Sequence, residues 1–285
     1  MVAGTSLDVR RAGAPDVVPF VFWHSISHGG NGSFIDVAAP ALVAAGFAPV
    51  APDAPGYARS APLETKGYAV DHLAGLVWDV VDELELGRPL VLSGHSWGGT
   101  IAVTAAALRP DDARALVLFD SGHVDYGDWP DARPEAALED LIAEIEADPL
   151  PDSWDDLVSL LAEHDLAQEW TLAAWREAFD VSADGALRRL GSTRALAAAR
   201  IGLMRARASD AWPAIAAARI PTLVLLATEP EEMRERNAVA AEKMRLAMPE
   251  ADIRPVDGMR HAVFADLGAR AGALVADWLR EQDRA

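Results

Sequence analysis

The residues best suited to covalent chemistry lie between Val91 and Ile101, in the run V-L-S-G-H-S-W-G-G-T-I. Two apolar residues lead into Gly94-His95-Ser96-Trp97-Gly98, and a small-residue helical run, Thr100 to Leu108, follows. A short buried strand, a sharp turn and a helix in that order hold the central serine of a G-x-S-x-G pattern in strained backbone geometry. Gly94 and Gly98 are required because side chains there would meet the neighbouring strand and helix. The strain lifts the Ser96 hydroxyl above the sheet, at the positive end of the following helix.

Acyl transfer through such a serine needs a base, an acid to orient that base, and donors for the oxyanion. Imidazole titrates near neutral pH, so it can take the serine proton and return it to a leaving group. His261 is the last of the seven histidines and falls between the final strand and the final helix; it is the candidate base. His95 lies within the turn and packs structurally, and His24 ends a strand and shapes the loop after it. His72 and His164 are expected on helix surfaces, whereas His28 and His123 are expected to face the pocket.

The elements around these residues alternate. Thr5 to Arg10 has the pattern of an edge strand, and Val17 to His24 is a near-continuous apolar run, as in a strand covered on both faces. A loop rich in Gly, Ser and His follows, then a helix from Phe34 to Ala45, capped by Ser33 and ended by Gly46. Phe47 to Ala51 is the next strand. Asp71 to Leu86 has helical apolar spacing, and Leu90 to Leu92 and Ala115 to Phe119 are strands. This order specifies an α/β protein with a mainly parallel sheet and helices on both faces. From Ser121 to Arg207 the strands give way to helical stretches at Ala136 to Ala147, Trp154 to Glu163, Glu169 to Phe179 and Ser192 to Arg207. Of the four tryptophans here, Trp129, Trp154, Trp170 and Trp175, one or two are expected to line a pocket. The core resumes with strands Ile220 to Ala227 and Asp252 to Val256, separated by the helix Glu232 to Ala247 and closed by a terminal helix, Ala262 to Glu281.

Composition narrows the function. The chain has 285 residues, enough for a sizeable core, and no cysteine, so neither disulfides nor thiolate metal sites arise. Its net charge of −19 disfavours nucleic acid and anionic membranes as partners. No His/Asp cluster has metal-ligand spacing and no glycine-rich loop has a dinucleotide pattern, so neither metal nor cofactor is expected. Without a signal pattern or a membrane-length apolar run, a soluble cytoplasmic protein is expected, with a small-molecule substrate and a homodimer left open. The acidity is concentrated: residues 121 to 184 carry a balance of −16, whereas residues 185 to 215 carry +5. Such a segment serves solubility, or forms an acidic rim that steers cationic substrates.

The chain resembles the α/β-hydrolase superfamily over most of its length. Beside the serine turn, the resemblance rests on A-P-A-L-V-A-A-G-F-A-P-V-A-P-D-A-P-G-Y-A-R-S (Ala39 to Ser60), on I-P-T-L-V-L-L (Ile220 to Leu226) and on the histidine stretch G-M-R-H-A-V-F-A-D (Gly258 to Asp266). It implies a mostly parallel eight-stranded sheet, a core formed by residues 1–120 and 208–285, and an inserted helical cap over residues 121–207. It also implies the chain order serine, acid, histidine. Asp120 is the leading acid; Glu229 is the alternative, with Glu231 and Glu232 behind it, because Pro230 stands where the family's aspartate usually falls. The oxyanion donors implied are the backbone N–H groups of Trp97 and Ile26. Ser25 stands where most relatives have glycine and is placed, with His28 and His123, beside the substrate.

These readings favour a cofactor-independent serine hydrolase acting on a carboxylic ester, lactone or thioester. Amide or aminopeptidase-like cleavage and carbon–carbon hydrolysis are alternatives, as is a non-catalytic small-molecule receptor. Halide or epoxide displacement is disfavoured, since it needs a carboxylate where Ser96 stands.

Overall fold

Residues 4–26, 33–148 and 150–284 are described by a computed structural model of the chain. The first strand, β1 (Val9–Arg11), runs antiparallel to β3 (Phe47–Pro52), and β2 (Val18–Trp23) runs parallel to β3. Between β2 and β3 lies a helical stretch that opens as a π-helical turn, Phe34–Ala38, and continues as α1 (Ala39–Ala44). Pro40 sits in the first turn of α1 and has no N–H to give a carbonyl one turn back, which accounts for the irregular start. Ser33 was expected to cap this helix, but its backbone is already helical and its side chain makes no capping bond.

Helix α2 (Val70–Glu83) precedes β4 (Leu90–His95), α3 (Trp97–Leu108) and β5 (Ala113–Phe119). The segment between β5 and the next sheet strand holds α4 (Leu138–Ala147), α5 (Trp154–Glu163), α6 (Glu169–Ala178), the small antiparallel pair β6 (Phe179–Val181) and β7 (Leu187–Arg189), and α7 (Thr193–Arg205). The sequence pattern had offered only helices there; three-residue strands at the surface are too short to show an apolar alternation. The chain closes with α8 (Trp212–Ala217), β8 (Thr222–Ala227), α9 (Glu231–Ala247), β9 (Asp252–Val256), α10 (Val263–Leu267) and α11 (Ala269–Gln282).

The main sheet has the order β1-β3-β2-β4-β5-β8-β9 and is parallel except for β1. It therefore has seven strands among the described residues, not the eight expected. The segment before β1 has its backbone engaged elsewhere: Ala61 N–H donates to Ser6 O, Asp53 N–H to Asp8 O, and Asp8 N–H to the Ser60 hydroxyl. Those bonds tie residues 6–8 to the turn after β3, and the edge strand is confined to Val9–Arg11.

Side chains alternate across the sheet with the period of two that a pleated strand imposes. Val21 and Trp23 of β2, Leu116 and Leu118 of β5, and Val224 and Leu226 of β8 face the layer built from α2, α3, α8 and α9. Phe20 and Phe22, Val117 and Phe119, and Leu223 and Leu225 face the opposite layer of α1, α10 and α11. Residues of α4 and α7, including Leu141, Ile145 and Ala197, belong to the first of these layers, whereas α5, α6 and β6 close a small cluster of their own around Leu157, Leu161 and Phe179. Among the described residues, no helix is long and apolar enough to cross a membrane.

Candidate active site

Two neighbouring strands bring the serine and the acid together. In the β4–β5 ladder His95 is in register with Phe119, so Ser96 and Asp120 each occupy the first position beyond a matched pair. Both take positive φ, +55° at Ser96 and +44° at Asp120, a conformation unfavourable for residues with a Cβ. The bend at Ser96 is set by close backbone approach. A Cβ on Gly94 would strike the Gly98 carbonyl of α3, and one on Gly98 would strike the Trp23 carbonyl of β2. Both glycines are needed for the reason their spacing suggested.

His261 arrives from the loop between β9 and α10. Its Nε2 lies 2.9 Å from Ser96 Oγ and its Nδ1 lies 2.6 Å from Asp120 Oδ2. That loop is held from three sides. Met259 O accepts the N–H groups of Thr228 and Glu229. Arg260 N–H donates to Asp266, and the Arg260 guanidinium reaches Asp266 and the His164 and Asp165 carbonyls. The third hold comes from His95, whose Nε2 donates to the His261 carbonyl at 2.7 Å. Burial, and the facing His261, lower the His95 pKa to about 3, so this donor is a neutral imidazole near pH 7.

Asp120 uses both carboxylate oxygens. While Oδ2 meets His261, Oδ1 accepts Ala227 N–H and Asn237 Nδ2, each at 2.9 Å. Burial pushes this carboxyl up, but the His261 hydrogen bond and charge, with His123 and the Ala227 N–H, outweigh it and hold it below the usual aspartate range. Asn237 also donates to Ala227 O, which directs its Oδ1 to His123 Nε2 at 3.0 Å. His123 is therefore buried behind the acid, with Nδ1 on Ser121 O, and does not line a cavity with Ser96 as its sequence position had suggested. It sits at the back of the site because Gly122 takes positive φ and turns the chain inward after Asp120.

Glu229 is placed differently from Asp120. Its carboxylate pairs with Arg234 at 2.8 Å and makes no hydrogen bond to His261. Glu231 and Glu232 are exposed on the first turn of α9.

Trp97 is the first residue of α3, and Ile26 follows the end of β2 beside the same cavity as Ser96. Neither backbone N–H makes a hydrogen bond among the described residues. The loop carrying Ile26 is set by His24, which donates from Nδ1 to Ser25 O at 2.6 Å and accepts Ala54 N–H at Nε2 at 2.9 Å. Burial lowers the His24 pKa to about 4, against the opposing hydrogen bond to Ser25, which keeps this tautomer neutral. Ser25 lines the cavity; His28 lies outside the described residues.

Two cavities meet at Ser96 and His261. One, of about 530 Å³, is walled by Phe22, Phe34, Phe264, Leu166, Thr171 and Trp175. The other, of about 560 Å³, is walled by Tyr126, Trp129, Leu203, Met204 and Met233. Ile26 and Arg200 border both. Of the four tryptophans singled out above, Trp175 and Trp129 therefore line cavities. Trp154 lies under the Arg176 guanidinium and Trp170 donates to Phe264 O. Sequence patterning missed Tyr126: burial raises its phenol pKa, and it lines the second cavity beside Ser96. A lone tyrosine in a Gly- and Asp-rich loop carries no periodic signal, so nothing in the chain marked it.

A mostly parallel α/β sheet with a strained serine turn at its centre and a histidine loop after its last strand defines the class of protein. The family model described as the alpha/beta hydrolase fold matches residues 18–229, and the chain belongs to that family. An epoxide hydrolase of Caballeronia sordidicola is 40% identical over 77 residues, which make up 27% of this chain and 23% of that protein. The chain thus matches under a quarter of that relative's length. Over whole chains, the crystal structure of E-2-(acetamidomethylene)succinate hydrolase is similar at a TM-score of 0.74 and 23% identity, covering 99% of this chain and 97% of that one. The thioesterase domain from the curacin biosynthetic pathway is similar at a TM-score of 0.72 and 20% identity, covering 98% and 97%.

Proposed function

We propose that this protein is a cofactor-independent serine hydrolase that cleaves a small-molecule carboxylic ester, lactone or thioester through an acyl-enzyme on Ser96. The observation that carries this reading is the continuous chain of Ser96 Oγ, the His261 imidazole and the buried Asp120 carboxylate. Ser96 Oγ attacks the carbonyl carbon as His261 Nε2 takes its proton, and Asp120 holds the proton on Nδ1 and stabilises the imidazolium that forms. The oxyanion is received by the Trp97 and Ile26 amides, the former at the positive end of α3. His261 then protonates the leaving group, and water, deprotonated by the same imidazole, releases the acid.

The relative named an epoxide hydrolase does not alter this reading, because displacement at an epoxide needs a carboxylate nucleophile and a serine stands here. The neighbours named a thioesterase domain and a hydrolase of an acetamidomethylene succinate agree with attack at a carbonyl. Residues 121–207 act as the cap: α6 and α7 supply Trp175, Thr171 and Arg200 to the cavity walls.

Pre-steady-state hydrolysis of a 4-nitrophenyl ester tests the mechanism. A nitrophenol burst close to one equivalent, with the acyl mass on the Ser96 peptide, is expected. Turnover without an adduct on Ser96 contradicts it. A parallel 4-nitroanilide panel separates ester from amide preference.

A further inference from the structure

Arg200 stands out among the groups around Ser96. It projects from α7 at the junction of the two cavities, is half-buried, and makes no hydrogen bond or ion pair among the described residues. The other charged groups on these walls are satisfied. Arg260 is paired with Asp266, and Glu229 with Arg234. Glu144, a carboxylate that feels the Arg200 charge, is engaged by both terminal nitrogens of Arg133. No other Asp or Glu lines either cavity, and residues 27–32 include neither.

A guanidinium partly withdrawn from water gains from an anionic partner, and its planar fork matches a carboxylate in two parallel bonds. Resting on the serine-hydrolase reading above, we propose that Arg200 is a carboxylate-binding subsite. The substrate class would then be esters or thioesters that carry a second, ionised carboxyl group. The acidic surface of residues 121–184 does not supply an ammonium-binding anchor here, because among the described residues the only carboxylate on these walls, Glu229, already has its cation. Local attraction at Arg200 would select an anion against the overall charge of −19.

The test compares 4-nitrophenyl hydrogen glutarate with 4-nitrophenyl pentanoate, which match in chain length and differ in the terminal carboxylate. In wild type the glutarate monoester should have the higher kcat/KM, after subtraction of its spontaneous hydrolysis. Arg200→Gln should lower the glutarate-to-pentanoate ratio about 10- to 100-fold, mainly through KM, and Arg200→Lys should recover part of it. An unchanged ratio in Arg200→Gln overturns the subsite. Calorimetry of Ser96→Ala with glutarate and with glutaramide needs no turnover. Glutarate should bind measurably tighter, and lose that advantage when Arg200→Gln is added; equal affinity, or no binding of either, overturns it. The two readings fail separately: ester turnover that survives Ser96→Ala refutes the nucleophile, whereas an unchanged ratio with turnover lost in Ser96→Ala refutes only the subsite.

Discussion

Asp120 Oδ2 lies 2.6 Å from His261 Nδ1, although 141 residues separate the two in the chain. The contact follows from the sheet: β5 lies between β4 and β8, so the first residue past β5 sits directly under a loop arriving from beyond β9. A carboxylate at this point keeps the histidine in the tautomer that presents a lone pair to Ser96.

If Asp120 orients the base, its amide analogue should hold the wrong tautomer. Asp120→Asn is expected to lower kcat by on the order of 10⁴-fold with the fold retained. Glu229→Gln, which loses only an exposed pair with Arg234, should cost less than about tenfold. Steady-state kinetics on both variants decide the matter, and the reverse ranking would move the acid to Glu229.

The backbone of the serine turn makes a separate prediction. Gly98→Ala drives a methyl group into the Trp23 carbonyl and should cost several kcal/mol, or prevent folding. Gly75→Ala, in α2 with no atom near the new methyl, should stabilise by about 0.5–1 kcal/mol. Urea denaturation of both variants measures the contrast. A Gly98→Ala protein as stable as wild type would mean the turn is not confined as described.

Acid sensitivity follows from the two buried histidines. An unfolded histidine titrates near pH 6.5, roughly, whereas His24 and His95 are lowered to about 4 and about 3, chiefly by burial. Between those values the unfolded chain binds protons that the native one does not, so stability rises with pH. Their contribution is complete above the unfolded value and is lost as pH falls toward 4 for His24 and 3 for His95. Near pH 5 the unfolding free energy should change by roughly 2–3 kcal/mol per pH unit. Urea titrations at pH 7.5, 6 and 5 give the slope; half that slope would mean that one of the imidazoles is protonated in the native state, and a flat profile that both are.

Much of this was legible in the chain itself. The apolar runs of β2, β3, β4, β5 and β8 stood out because both faces of those strands are covered, and the glycines around Ser96 had a steric reason visible in their spacing. What escaped depends on contacts distant in sequence. Whether His261 meets Asp120 or Glu229 is set by the strand order and by Arg234. His123 turned away from the cavity because Asn237, on α9, receives it. Arg200 and Tyr126 lie in segments whose residues are spaced for packing or for turns, so only the folded chain shows them at the serine. The strand at the edge was shortened by hydrogen bonds to the turn at residues 53–61, which no local pattern reveals.

Hydrolysis by the proposed route requires Ser96 to be an activated nucleophile, and a fluorophosphonate probe read by intact-protein mass spectrometry tests this directly. Wild type should take up one equivalent of probe, with the label on the peptide containing Ser96, and Ser96→Ala should take up none. Wild type that stays unlabelled, or a label that persists in Ser96→Ala, would contradict it.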